Sequence, residues 1–278
     1  SNVSATVQRN TIMNLPGTGI NVNHNMNSTN YQVKNNVVFN CDVGLSISDY
    51  SNSFGPNAVY PYYVASYNGV YSGNQVYCTN KDQMAVRWYN CHSTAPVDFG
   101  SYSNNRYYNP YNEMCLYTFN RFTRYGSYQT LELFQTTGED AGSSRSPLRR
   151  SEFATASEIT GNLVVNGDFA TNVNGWGGWP TNAQVSRVTN FLDNGALRAY
   201  LPNAQSAPDF SMRNPDWFSV LNGEWYRVRV SLQAPANGHL RCGLKAQTAL
   251  SNPYSIYERL LPFGPERRDL EFYFQNNI

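Results

Sequence analysis

The residues of this 278-residue chain that could do chemistry are few and scattered. A hydrolytic centre needs paired carboxylates, and an elimination centre needs a base beside cation-binding acids. Over residues 1–135 the acids are Asp42, Asp49, Asp82, Asp98, Glu113 and Glu132, with no DD or DxD among them. Asp98 with His92 and Arg87, or Glu113 in its Tyr-rich segment, are the candidate sites. The simpler reading of each isolated carboxylate is a solvated charge. His24 and His92 read as surface residues in the same way. GxSxG, HExxH and phosphate-loop patterns do not occur. No complete catalytic constellation is present, so whether the chain is enzymatic stays open, and a centre would be expected upstream of residue 1.

A second chemistry is stacking, in which a flat ring takes up a face of C–H groups while nearby polar groups bond hydroxyls. The segment NGDFATNVNGWGGWP (166–180) sets two tryptophans in a Gly-rich loop after a short strand. Trp176 reads as a plug against a sheet core and Trp179 as an exposed platform. Trp217, Trp225, Tyr254, Tyr257 and Tyr273 join the candidates by alternation or loop placement. Arg227, Arg229, Arg241 and Lys245 fall on the face opposite the apolar one. A guanidinium fork suits carboxylate or sulfate, which points to an acidic glycan; the competing reading pairs these cations with Glu224, Glu258 or Glu271. The run YPYYVASYNGVYSGNQVY (60–77) is either another contact surface or an internal aromatic stack.

These groups need elements to hold them, and composition says which. Asn occurs 36 times and Tyr 21 times, against only 3 Lys beside 17 Arg. Asn, Gly, Ser and Tyr suit turns and strands and disfavour helices, so an all-β, extracellular chain is expected. The formal charge of +1, with no basic cluster beyond SRSPLRR, argues against a nucleic-acid partner. No apolar run approaches the ~18 residues of a membrane span. No signal peptide is present, and the chain opens as though already cut.

Residues 1–135 repeat. VQRNTIMN (7–14) aligns with VKNNVVFN (33–40), and weaker copies end at Asn68, Asn90 and Asn120. Asn14, Asn40, Asn68, Asn90 and Asn120 are thus expected to stack as one ladder at a recurring turn. Short segments such as GINV, GLSIS and TLELF read as the strands between turns. The pattern fits rungs of a right-handed parallel β-helix, with an antiparallel sandwich as the alternative. Residues 136–161 read as end cap and linker. From 162 to 278 the grammar changes to longer alternating strands: WYRVRVSLQA, HLRCGLKA and LEFYF, as in a β-sandwich. The five cysteines lack zinc spacing. Cys41 and Cys91 each follow a repeat Asn and should be equivalent, ~9–10 Å apart with a rung between them, too far to pair. Cys78–Cys91 or Cys91–Cys115 pairing fits better, with Cys242 a free buried thiol.

NLVVNGDFATNVNGW, a later Trp-Pro and EWYRVRVSLQA together resemble jelly-roll carbohydrate-binding modules of the family 4/9/22 type. The resemblance covers 162–278 and departs at the C-terminal end, where the chain stops at YFQNNI before the usual closing strand, as in a truncated module. It implies a sugar-binding site built from Trp179, Trp225, Arg227, Arg241, Lys245, Tyr254, Tyr257 and Tyr273, and allows a structural calcium ion; no other cofactor is expected. Residues 1–135 resemble the closing rungs of secreted β-helix proteins, and the combination is similar to large proteins exported by the type IX route. The expected function is glycan binding or attachment in a larger secreted or cell-surface protein, with secretion or surface-attachment machinery as a further partner. The alternatives are the C-terminal part of a polysaccharide lyase or glycoside hydrolase, and a structural adhesin without a sugar site.

Overall fold

The computed structural model describes residues 4–22, 28–51, 63–64, 66–91, 98–121, 123–179, 184–189, 195–200, 211–213, 218–246 and 254–277. The protein is all-β with parallel and antiparallel sheets, and the described residues contain one short helix. Three sheets are built by successive passes of the chain, the first four passes each giving one strand to each sheet. The first contains Thr6–Gln8, Gln32–Lys34, Gly69–Ser72 and Gly100–Ser103. The second contains Thr11–Met13, Val37–Phe39, Gln75–Tyr77, Arg106–Tyr108 and Ser144–Arg145. The third contains Thr18–Val22, Val43–Ser48, Met84–Asn90 and Leu116–Asn120. All these pairings are parallel.

Alternation turns every second side chain inward. The inward columns are Val7–Val33–Tyr71–Tyr102, Ile12–Val38–Val76–Tyr107 and Ile20–Leu45–Val86–Leu116. They merge into one buried cluster. Tyr71 and Tyr102 stack at 4.8 Å, the spacing of neighbouring strands. This part of the 60–77 run is therefore internal, whereas Tyr67 is exposed and residues 60–62 and 65 lie outside the described residues.

The corner from the first to the second sheet repeats most strictly. Arg9, Asn35, Gly73 and Asn104 each adopt left-handed φ, between 53° and 66°. The residues that follow are Asn10, Asn36, Asn74 and Asn105, and these form the ladder. The backbone N and Nδ2 of Asn10 both donate to Asn36 Oδ1 at 3.0 Å. Asn36 donates in the same way to Asn74 Oδ1, and Asn74 to Asn105 Oδ1. The Nδ2 of Asn36, Asn74 and Asn105 also donates to a carbonyl of the preceding pass, Val7, Val33 or Tyr71 respectively. Asn36, Asn74 and Asn105 are fully buried. Ser143 and Asp140 terminate the column by accepting from Asn105.

The expected five-residue ladder is corrected here. Asn14 and Asn40 do stack, Asn40 Nδ2 donating to Asn14 Oδ1 at 2.9 Å, but at the half-exposed corner after the second sheet. Cys78 takes that position in the next pass, since Asn40 and Cys78 donate in succession to Tyr77 and Tyr108. Asn68 follows Asn30 at the corner before the first sheet, with φ 56° and 58°. Asn90 and Asn120 are register partners at the end of the third sheet. An aromatic followed by Asn is a turn signal at three different corners, and sequence period alone does not separate them.

TLELF is also corrected, because it forms the helix Leu131–Gln135 rather than a strand. Thr130 Oγ1 caps it by accepting from Leu133 N at 3.2 Å. Leu131 and Phe134 face the core, with Phe134 4.7 Å from the Trp88 ring. Tyr125–Gln129 pairs antiparallel with Leu116–Asn120 and covers an otherwise open parallel edge. None of the five cysteines forms a disulfide, so neither Cys78–Cys91 nor Cys91–Cys115 is bonded. Cys41 precedes its third-sheet strand and Cys91 follows its own, so the two are not equivalent. Burial pushes the Cys115 thiol up to about 12; Cys242 is half-buried rather than enclosed.

The described chain divides into two compact units, Ser1–Glu152 with Gln233–Arg268, and Phe153–Leu232 with Asp269–Ile278. The first adds the antiparallel pair Gly238–Ala246 and Tyr254–Phe263 to the parallel stack. Arg259 of that pair donates to the Tyr111 carbonyl at 3.0 Å. The second unit contains Gly177–Trp179 against Ser211–Arg213 and Gln184–Val188 against Ala196–Tyr200, both antiparallel. In it Trp225–Leu232 pairs with the strand Arg268–Gln275, and Tyr226 stacks on Phe274 at 5.4 Å.

Two predictions follow from the ladder. Asn74→Leu strands Asn36 N and the Val33 carbonyl in the core, so it should cost about 3 kcal/mol in urea unfolding, whereas Asn40→Leu should cost about 1 kcal/mol. Burial holds the Asp140 carboxyl above its ordinary value, opposed by hydrogen bonds from Ser143 and Asn105. A raised folded-state pKa contributes stability below about pH 3.9, the unfolded value, and that stability is lost as pH rises through the folded pKa. Asp140→Asn keeps an acceptor for Asn105 and removes this loss. It should equal or exceed the wild type by about 1 kcal/mol at pH 7 and lose that advantage at pH 3.

Candidate functional site

The outer face of the third sheet gathers aromatic rings around a cation. Parallel register aligns Asn21, Ser46, Arg87 and Tyr117 in one outward column. Ser48, Tyr89 and Phe119 align in the next. Trp88 and Thr118, between these columns, turn inward, so strand alternation itself puts the outward rings on one surface. Tyr89 stacks on Phe119 at 5.0 Å, Tyr117 and Phe119 lie 6.4 Å apart, and Tyr128 sits 4.5 Å from Tyr117 on the antiparallel strand. The Tyr117 ring lies over Gly126, where no side chain would fit. Arg87 rests on this surface with Nε and Nη2 donating to Ser46 Oγ at 3.2 and 3.1 Å. Burial pushes the Tyr89 phenol above its ordinary value, while the Arg121 and Arg87 guanidiniums pull it back. The face is thus a row of half-buried rings in a cationic setting, suited to a flat, polar, anionic or neutral ligand. The repeat Asn motifs drew attention to the turns, and only the register reveals this face.

The residues expected to bind sugar are divided between the units. In the second unit Trp225 is 52% exposed, its ring 4.9 Å from Phe153, with Tyr273 6.1 Å from Phe153. Arg227 there pairs with Glu158 and donates to Thr155 Oγ1 at 3.2 Å, and Tyr273 donates to Glu271 at 2.7 Å. In the first unit Arg241 pairs with Glu258 at 3.2 Å, and Tyr257 is half-buried opposite Leu244. Arg241 is thus paired with one of the glutamates that the competing reading named, whereas the partner of Arg227 is Glu158, which that reading did not name. Trp179, Lys245 and Tyr254 lie in strands, with their side chains outside the described residues. Trp217, His24 and His92 lie wholly outside them.

The opening loop is closed rather than preceded by a strand. Asn166 Nδ2 reaches the Asn172 and Asn174 carbonyls, and Trp176 Nε1 donates to the Asn166 carbonyl at 3.1 Å. Trp176 meets Phe169 edge-on at 5.3 Å, which makes it a half-buried local plug. Asp168 in this loop accepts from Ala170 N, and among the described residues no group of three His, Cys, Asp or Glu side chains is placed to hold a metal. No helix among them is long and apolar enough to cross a membrane.

The carboxylates of the repeat region are structural where their partners are described. Glu113 is 7% exposed and pairs with Arg149 and Arg268, with Arg145 at 3.8 Å. Glu132 pairs with Arg145 and lies 3.5 Å from Arg268. Three guanidiniums thus surround two carboxylates. Burial works against the charge of Arg268, which only its carboxylate partners offset. Asp98 accepts from Gly100 N at 2.9 Å, forming a turn. Comparison with protein-family models, curated proteins and solved structures finds no match to this chain. Removing Arg268 would leave Glu113 and Glu132 buried with one cation fewer, so Arg268→Ala should cost about 3–5 kcal/mol in chemical unfolding. A cost below about 1 kcal/mol, typical of an exposed pair, would show that these acids are solvated.

Proposed function

We propose that this chain is the glycan-binding part of a larger secreted or cell-surface protein. In this reading residues 1–135 wind as the last rungs of a right-handed parallel β-helix, and a jelly-roll-like sandwich follows. The observation that supports it is the outward row of Tyr89, Tyr117, Phe119 and Tyr128 on the third sheet. The cross-strand neighbours Tyr89–Phe119 and Tyr117–Tyr128 lie 5.0 and 4.5 Å apart, so the rings form one continuous half-buried apolar surface for sugar C–H groups. Trp225 beside Phe153 supplies a separate exposed ring for the same chemistry. Extracellular export rests on the Asn- and Tyr-rich, Lys-poor composition and on the resemblance to secreted modules. The lyase or hydrolase alternative gains nothing from Glu113 and Glu132, which guanidiniums already hold.

Isothermal titration against an arrayed panel of soluble polysaccharides tests the reading. Tyr117→Ala and Phe119→Ala should each weaken the best ligand by about three- to tenfold with melting temperature little changed. If both variants bind as the wild type does, the third-sheet face is not where glycans bind.

A further inference from the structure

We propose that the outer face of the third sheet takes an anionic glycan, with the Arg87 guanidinium holding its carboxylate or sulfate. This rests on the glycan-binding reading of the same face. Arg87 differs from the five guanidiniums of the described ion pairs. Arg145, Arg149, Arg227, Arg241 and Arg268 all sit against glutamates. Among the described residues Arg87 has only the neutral Ser46 hydroxyl, which occupies Nε and one Nη2 hydrogen. Both Nη1 hydrogens and the second Nη2 hydrogen remain, enough for a two-point grip on a planar or tetrahedral anion.

The surroundings favour that use. Arg87 is half-buried, so its charge is less screened than at an open surface and its attraction for an anion is stronger. Among the described residues, two acids are tied to this face. Asp82 bears on the Tyr128 phenol, but Lys81 Nζ holds it at 2.9 Å. Asp49, one residue beyond Ser48, is fully buried and accepts from Cys91 N. The rings that flank Arg87 in register give a pyranose a place to stack while its acid group meets the guanidinium. A neutral glycan would leave the half-buried cation without a counter-charge.

The test uses matched probes on the full chain: polygalacturonate against its fully methyl-esterified form, and dextran sulfate against dextran. The proposal expects at least one charged member to bind about tenfold tighter than its neutral counterpart, and the pair that shows this identifies carboxylate or sulfate. Arg87→Gln should then lose about tenfold for the charged probe, Arg87→Lys less, and wild-type affinity should fall as salt is raised. Circular dichroism checks that both variants fold; if Arg87→Gln does not, Arg87→Lys and the wild-type salt dependence still decide. Equal binding of charged and neutral members, insensitive to salt, overturns the anionic ligand and leaves the aromatic glycan face standing. Charged-probe binding unchanged in both variants overturns the role of Arg87. Binding to none of these probes nor to the wider polysaccharide panel overturns this proposal and the glycan reading together.

Discussion

The parallel part of this protein depends on one arrangement, an asparagine amide that closes the bend between the first and second sheets. A bend that turns into the interior exposes backbone N–H and C=O groups to a place without water, and leaving such groups unpaired is expensive. Each ladder Asn answers three groups at once: its Oδ1 takes the backbone N and Nδ2 of the Asn in the pass before, and its Nδ2 takes a carbonyl there. The solution works only if the bend has the same geometry every time. It does, since the corner is two residues long in each pass, 9–10, 35–36, 73–74 and 104–105. The first of the two is always left-handed, a conformation that Asn and Gly tolerate best.

A fixed corner fixes register, and register fixes which side chains meet. The columns Val38–Val76–Tyr107 and Val33–Tyr71–Tyr102 grow in bulk along the stack, ending under the helix Leu131–Gln135 with its Phe134. Small residues answer the crowding where strands enter the third sheet. A side chain at Gly44 would collide with Val76 and with the Ala85 carbonyl. The ends of the stack are handled differently, because a last strand has no next pass to pair with. Tyr125–Gln129 reverses direction there, and Ser143 with Asp140 replaces the next asparagine.

The sequence made part of this legible. Composition pointed to β structure, and clean alternation located the strands at 225–232, 238–246 and 268–275. The alignment of VQRNTIMN with VKNNVVFN placed Asn10 over Asn36 and Asn14 over Asn40, and both pairs do stack. The buried column, however, is the first asparagine of each pair, not the second. Both are polar turn residues two or three positions from an apolar strand, and nothing local distinguishes a bend that faces the core from one that faces water. TLELF failed for a related reason: five residues are too few to show a period, and the Thr130 cap decides the outcome. The Glu113–Arg268 pair joins residues 155 positions apart (268 − 113), beyond any pattern in the intervening chain.

The place of the candidate site follows from the same constraint. A stacked architecture can vary only where its corners are free to change length. The first corner cannot, because its amide must reach the next one. The corner after the third sheet can: 23–31, 49–68 and 91–99 separate its strands from the first-sheet strands that follow. Chemistry that differs from pass to pass is therefore expected on the third sheet, beside that corner, and not on the first. The outward columns there read Asn21, Ser46, Arg87, Tyr117 and Ser48, Tyr89, Phe119, so the side chains change along the stack while the inward Ile20, Leu45, Val86 and Leu116 remain uniformly aliphatic. Among the described residues Arg87 is a half-buried cation beside a hydroxyl and a row of rings, with no carboxylate in an ion pair with it, and that combination is what supports the proposed anionic ligand.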